Sequence, residues 1–409
     1  MTERIYYLDP ACVTFDAVVT RSLEHDGRPA VVLDRTAFYP TSGGQPFDTG
    51  TLDGVAVIET VDAGDDVVHV LGDRLGEGRR VHGAIDWSRR LDHMQQHTGQ
   101  HVLSAAFDLL FDNRTVSFHM GTETATIDLA RELTFSDVER AVDEANRIVW
   151  EDRPVSIRFV SAEEAARLPL RKEPAREGPL RLIDVDGFDL SACGGTHVAR
   201  TGGIGLVATV GTERFRSGLR VTFVCGGRAL RALRNYRDVV AGAVRVLSVV
   251  PQELPAAVEK LQAEAKDLRK SLGRVQEALA VHEAARLRTE AAAARPAAGL
   301  LQSAAAEPIV AVLQGWDAAG LKAIATAVVM EPAAVVALIS ASQPAHVVIA
   351  RSRDARADAN KVLRQLLDRF GGRGGGKPDL AQGGGVNGDP QEIAAAARDL
   401  LTAAAQPPQ

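Results

Sequence analysis

Two short stretches govern what this chain can fold into: His97-Thr98-Gly99-Gln100-His101 and, far downstream, Cys193-Gly194-Gly195-Thr196-His197. Each sets two metal-type ligands four residues apart. On a helix, positions i and i+4 lie on one face a turn apart, so both imidazoles of the first pair can reach a single ion. The glycine pair in the second stretch argues for a tight turn, from which a thiolate and an imidazole can fold back over the first pair. A Cys/His3 set suits the tetrahedral preference of zinc; a closed set makes a structural site, and one loose ligand leaves room for water or substrate. Two histidines at this spacing are, alone, as readily a pair of surface side chains. The second half shifts the reading, because the chain has only three cysteines, Cys12, Cys193 and Cys225, and one of them precedes a histidine by the same step.

The remaining composition sets outer limits. A chain of 409 residues that is 45% hydrophobic is globular and long enough for two to four domains. A net charge of −6 carries no general signal for nucleic acid, so any RNA contact must come from local basic patches. Three cysteines without a CxxC pattern make no disulfide framework, and a thiolate ligand needs reducing surroundings, which points to the cytoplasm. The N-terminus lacks the charged and apolar regions of a signal peptide. The most apolar run, Ala323 to Ile349, is broken by Glu331-Pro332 and Gln343-Pro344, so no transmembrane helix fits it.

In chain order, residues 1–88 read as short β segments punctuated by Asp26-Gly27, Asp53-Gly54 and Gly76-Glu77-Gly78, the pattern of a small β-barrel. Within them, Tyr39 to Gly50 contains Gly43-Gly44-Gln45, either a long turn or backbone left bare for a ligand. From Leu91 the periodicity becomes helical, and the histidine pair is expected to open a buried helix. Strands are predicted at 115–119 and 124–129, then a helix capped by Ser136 with Glu139 three residues on, then strands at 155–160, 180–185, 206–211 and 219–225. Residues 89–247 thus form an α+β domain. Arg228, Arg231, Arg234 and Arg237 follow at three-residue steps on a helix, as a solvated face or as phosphate contacts. Leu254, Val258, Leu261, Ala265, Leu268, Leu272, Val275 and Leu279 make a heptad seam, so 248–297 reads as a coiled-coil arm, packed on the preceding helix or on a second subunit and ended by Ala294 to Gly299. Residues 298–409 alternate strands and helices and carry the run Gly371 to Gly385, with Arg373, Lys377 and Gln382 among glycines whose N–H groups can reach phosphate oxygens; a disordered linker is the alternative.

The stretches Tyr39 to Gly50, Gln96 to His101 and Asp189 to His197 together resemble, in order and spacing, the editing domain of alanyl-tRNA synthetase, and more closely the free-standing alanyl-tRNA editing proteins of the AlaX type. The resemblance covers residues 1 to about 240, and the glycine run is similar to the DHHA1 motif that closes the synthetase and certain phosphoesterases. It implies a translation-factor-like barrel, an editing fold with zinc on His97, His101, Cys193 and His197, and a C-terminal α/β DHHA1-like domain that binds tRNA or dimerises without cutting. The implied activity is hydrolysis of the ester in Ser-tRNA(Ala), and in some members Gly-tRNA(Ala). Met1 falls almost at the barrel, so the chain is expected to lack the synthetase activation domain and to edit in trans.

Alanine and serine differ by one hydroxyl, so selectivity calls for a site that leaves a polar group unpaired when alanine enters. Thr98, Gln100 and His119 are candidates for that work or for support of the ligands; Gly43, Gly44 and Gln45 are candidates for substrate contact, and Arg373, Lys377 and Gln382 for contact with tRNA. Zinc would activate water or polarise the ester, or grip the amino acid and leave water to the tRNA's own terminal hydroxyl. Two other classes stay open: an RNA-binding module with purely structural zinc, and a zinc hydrolase acting on a small ester or amide.

Overall fold

In a computed structural model that describes residues 1–171, 179–294 and 307–405, the chain divides into two compact units, Met1–Val246 and Leu247–Gln409. The expected end of the coiled-coil arm at 295–299 lies outside the described residues.

The first unit begins with strands β1 (Glu3–Arg4), β2 (Thr14–His25), β3 (Arg28–Leu33), β4 (Arg35–Thr36), β5 (Gly50–Leu52), β6 (Val55–Ala63), β7 (Asp66–Leu71) and β8 (Arg80–Ile85). Buried and exposed residues alternate along β8 and the first half of β2, and β2, β3, β7, β6, β5 and β8 close into a barrel around Phe15, Val19, Leu33, Phe38, Leu52 and Val81. Helix α1 (Trp87–Phe111) leaves the barrel and crosses a four-stranded antiparallel sheet, in the order β14 (Val207–Phe215), β15 (Gly218–Cys225), β10 (Ala125–Leu129), β9 (Thr115–Met120). Helix α2 (Phe135–Trp150) packs beside α1, and Val102, Phe107, Ile127, Ala141, Ile148, Val221 and Phe223 share one core. A second sheet runs in the order β11 (Val155–Val160), β12 (Leu180–Val185), β13 (Asp189–Ala192), and the short helix α3 (Ala162–Ala165) follows β11 in the chain.

Helix α2 starts two residues earlier than its sequence predicts. Thr134, not Ser136, is the cap, and it forms a reciprocal capping box with Asp137. Leu133 and Val138 stand at the staple positions of that box and belong to the same core, so burial decides between two chemically adequate caps. Helix α4 (Gly226–Leu247) ends the unit, and it corrects the even arginine face: Arg228 is buried, with its guanidinium on Asp92 at 2.7–3.0 Å and on the Gly121 carbonyl at 2.8 Å.

The second unit opens with α5 (Leu254–Ala293), of which only the far end, Ala280, Ala284 and Leu287, is buried, against α6 (Ala318–Val328). The heptad residues Val258, Leu261, Leu268, Leu272, Val275 and Leu279 are exposed. A five-stranded sheet follows, in the order β16 (Ile309–Leu313), β17 (Val335–Ser340), β18 (Ala345–Arg351), β20 (Leu380–Val386), β19 (Arg373–Gly376). Helices α7 (Ala359–Phe370) and α8 (Pro390–Ala405) cover one face and α6 the other. The glycine run is neither linker nor loop: β19 and β20 form an antiparallel hairpin at the sheet edge, Arg373 opposite Gly384. No single helix among the described residues is long and apolar enough to cross a membrane.

Candidate metal centre

Helix α1 is started by Asp86, whose carboxylate accepts from the Arg89 N–H, so His97 and His101 lie in its middle and not at its opening. The helix is pressed onto β15 at this level. A Cβ on Gly99 would stand 2.3 Å from Cys225 Sγ, which is why the residue between the histidines has no side chain. Leu182 of β12 faces Ala192 of β13, and the chain passes from β13 directly into Cys193. Along a strand alternate residues share a side, so Asp189, Ser191 and Cys193 form one row directed at α1. The loop beyond runs beneath the His97 ring, where a Cβ on Gly195 would lie 2.1 Å from Cε1.

This brings His97, His101, Cys193 and His197 together, with one potential ligand atom from each, all within 4.8 Å of one another. Each imidazole is anchored through Nδ1. His97 Nδ1 donates to Gln45 Oε1 at 2.8 Å, His101 Nδ1 to Asp189 Oδ2 at 2.9 Å, and His197 Nδ1 pairs with Thr98 Oγ1 at 3.2 Å. Three Nε2 atoms are left for a common point, and those of His97 and His197 lie 3.3 and 3.4 Å from Cys193 Sγ. Zinc bonds of about 2.3 Å to sulfur and about 2.0 Å to nitrogen at a tetrahedral angle put S and N about 3.5 Å apart, so the donor set fits that ion. The anchors fix tautomer and ring orientation, as outer partners of metal ligands do.

The charges agree with the geometry. Burial opposes a thiolate at Cys193, yet the surrounding imidazoles and its hydrogen bonds bring its pKa well below the ordinary thiol value. Burial also works against a charged His101, and the bonds to Asp189 and Cys193 outweigh it, holding that imidazole up at about 9. His197, without a carboxylate, is pushed down by burial to about 3. Asp189 is buried, but His101 and Arg171, whose Nε lies 2.6 Å away, keep it far below the usual carboxylate range.

A cavity of about 190 Å³ opens beside these ligands, with Gly43, Gln100, Ser117, Phe118, Arg171 and Ser191 in its wall. At roughly 30 Å³ per water, that is room for about six water molecules, the scale of an aminoacyl group. Gln100 lines it, its Nε2 donating to Ser104 Oγ at 2.8 Å. Gly44 crosses β9 at Phe118, where its carbonyl accepts from Met120 N at 3.3 Å, and His119 beyond that crossing is exposed and outside the wall. Thr98 is buried behind His197, accepting also from Val198 N at 3.1 Å. Gln45 is also behind the ligands: it is fully buried, its amide oriented by Thr196 through N to Oε1 at 3.0 Å and Nε2 to Oγ1 at 2.8 Å. Arg373, Lys377 and Gln382 belong to the second unit, exposed on its hairpin.

Sequence reasoning passed over two supports. Arg90 and Asp48, both fully buried, join α1 to the Tyr39–Gly50 segment, with Arg90 Nε and Nη2 at 3.0 and 2.5 Å from Asp48 Oδ2, and Tyr39 N at 2.7 Å from the same oxygen. Arg181 holds the cysteine loop, its Nη1 donating to the carbonyls of Cys193 at 2.7 Å and Gly195 at 3.0 Å. Asp189 was legible in principle, since it stands in step with Ser191 and Cys193.

Three families match the chain in series: tRNA synthetases class II (A) at residues 12–89, the threonyl and alanyl tRNA synthetase second additional domain at 180–220, and the DHHA1 domain at 289–406. The alanyl-tRNA editing protein AlaX-L of Pyrococcus horikoshii is 29% identical over 96% of this chain and 96% of its own length. The alanyl-tRNA editing protein Aarsd1 of Danio rerio is 32% identical over 64% of this chain and 66% of its own. An alanine–tRNA ligase of Methanoregula boonei is 33% identical over 99% of this chain, which spans 44% of that enzyme. With matches running in one order through barrel, metal centre and glycine-rich hairpin, the chain belongs to the alanyl-tRNA editing proteins of the AlaX type, whose segments recur within alanine–tRNA ligases.

Proposed function

We propose that this protein is a hydrolase that removes serine, and glycine where it is mischarged, from tRNA(Ala) in trans, with zinc on His97, His101, Cys193 and His197. The observation that carries the reading is the placement of that donor set at the wall of a cavity sized for an aminoacyl group, in a chain related over nearly its whole length to AlaX-L. Bound zinc would supply Lewis acidity at the ester or a handle for the amino acid. The protein's own residues do the rest. Gln45, Asp189 and Thr98 hold three imidazoles so that their Nε2 atoms converge, and Arg181 fixes the thiolate loop. The Gly43–Gly44 turn closes the cavity at Phe118 and leaves backbone, not side chains, at its rim. In the reaction, water adds to the ester carbonyl, the C–O bond to the terminal ribose breaks, and the amino acid and free tRNA leave.

The exposed hairpin with Arg373, Lys377 and Gln382 supports a role in gripping tRNA phosphates, and the exposed heptad of α5 supports pairing of two copies. A small-molecule esterase would need neither. The test follows labelled serine released from Ser-tRNA(Ala) beside correctly charged Ala-tRNA(Ala). Fast serine release with alanine spared supports the reading, while no release of either by protein with full zinc occupancy overturns it in favour of an RNA-binding module with structural zinc.

A further inference from the structure

The arginines of α4 outnumber the carboxylates within their reach. The helix holds five arginines and one acidic residue, Asp238, in a chain whose net charge is −6. Arg228 is buried on Asp92, and Arg231 reaches the same carboxylate at 3.5 Å. Arg237 lies 2.8 Å from its neighbour Asp238, while Arg234 and Arg245 have no ion pair among the described residues. Helix α5 is built differently: its seven cations stand among six acids, and Lys260 with Glu264, and Arg286 with Glu283 and Glu290, pair along its own surface. At 3.6 residues per turn, Arg231, Arg234, Arg237 and Arg245 fall within an arc of about 120° and span about 21 Å of helix. All four are exposed, whereas Val240 and Ala243, on the other side, are half-buried. The outward face of α4 is therefore positive.

The root of this helix is tied to the helix that carries the histidine pair. Gln96, the residue before His97, accepts from Cys225 N at 2.7 Å and donates to the Cys225 carbonyl at 3.1 Å, and Gln95 Oε1 accepts from Gly227 N at 3.1 Å. With the Arg228–Asp92 pair, these bonds fix where α4 leaves α1. The ester cut beside the histidines joins the amino acid to the terminal ribose, so the duplex that leaves the cavity is the acceptor stem of the RNA. We propose that the outward face of α4, through Arg231, Arg234, Arg237 and Arg245, is a docking surface for the phosphates of that stem. This rests on the deacylase reading and adds where, on the unit that holds the metal centre, the body of the substrate lies. Phosphates supply the charge that the helix lacks. Each arginine that neutralises one releases a counterion, so the contact follows the backbone and not the base sequence.

The experiment uses the full chain as wild type and as two double variants, Arg234→Gln with Arg245→Gln and Arg234→Lys with Arg245→Lys. It measures binding of an uncharged RNA hairpin that reproduces only the acceptor stem of tRNA(Ala), by fluorescence anisotropy across a salt series, and serine release from Ser-tRNA(Ala). Loss of two phosphate contacts should weaken hairpin binding about tenfold at low salt and lower the slope of log affinity against log salt by about two. The Gln pair should raise KM by a similar factor at unchanged kcat. The Lys pair, which keeps both charges, should stay within about threefold of wild type. A Gln pair with the affinity and salt slope of wild type, or a Lys pair as weak as the Gln pair, overturns the docking surface while leaving the deacylase standing. So does wild-type binding to anionic phospholipid vesicles that the Gln pair loses with its RNA affinity unchanged, which would assign the face to a lipid surface. A wild type that binds the hairpin and releases no serine overturns the deacylase reading instead.

Discussion

Glycine serves the loop Cys193–His197 and the strand Arg373–Gly376 in different ways. At Gly195 it makes room, because the His97 ring occupies the place of a Cβ, and the polar side chains around it are buried and hydrogen-bonded to one another. At Gly374 and Gly376 it lets β19 lie close on β20, where a Cβ would meet backbone at 2.4 and 2.3 Å, while the whole strand stays exposed at a sheet edge. The buried motif is assembled during folding and acts through fixed distances. The exposed one offers charge and unpaired edge backbone, and acts through whatever approaches it. Disturbing the first should therefore produce large effects insensitive to salt, and disturbing the second small effects that salt erases.

The largest effect should come from His101→Ala, which removes one of the four clustered donors and leaves Asp189 with Arg171 and Ser191 as its side-chain partners. Zinc content measured by atomic absorption and serine release should fall together, the latter by more than about 1,000-fold; full activity without zinc would take the metal out of the reaction. Next comes Asp48→Ala, which strands Arg90 inside the protein. Breaking a buried ion pair costs about 3–5 kcal/mol, to be read as a shift of the urea midpoint, and a loss below about 1 kcal/mol would show that this link does not hold the Tyr39–Gly50 segment.

A third effect depends on pH. His69 is fully enclosed in the barrel, and burial pushes its pKa down to about 4, below the ordinary 6.5. Between those values the unfolded chain takes up a proton that the folded chain refuses. Stability is therefore complete above pH 6.5 and falls as pH drops towards 4, by about 3 kcal/mol for this one group. Urea unfolding between pH 7 and 4 should give a flatter profile for His69→Gln than for wild type; equal slopes would mean that His69 is charged in the fold. The smallest effect belongs to the hairpin. Arg373→Ala with Lys377→Ala should raise KM for charged tRNA about tenfold at low salt, leave kcat unchanged and reduce the salt dependence by about two phosphate contacts. A change in kcat at constant KM would contradict a role confined to binding.

The readings that matched the structure rest on local repetition. The predicted strands at 155–160 and 180–185 agree with β11 and β12, since a short run rich in apolar and β-branched residues is a local signal of a strand. The departures share a different cause. Arg228 stands in an even arginine series, and only Asp92, far away in sequence, decides that it turns inward. Gln45 sits in a glycine turn that reads as open backbone, and Thr196 and His97 make it a buried support. The strand β19 has no side-chain alternation to read, and its pairing is imposed by β20, itself paired to β18.

What the sequence by itself determined is the inventory and its local geometry: four metal donors at one-turn and short-loop spacings, a helix to carry one pair, a strand to deliver the other, and a heptad with no break. Periodicity and spacing are properties of a few neighbouring residues, so they survive without knowledge of the fold. Only the tertiary structure decided which atom of each imidazole is free and which carboxylate or amide holds it. Those are choices of partner among groups tens of residues apart. Burial settles them, because a buried polar group must find an acceptor or donor somewhere, and the packed fold determines which one is within reach.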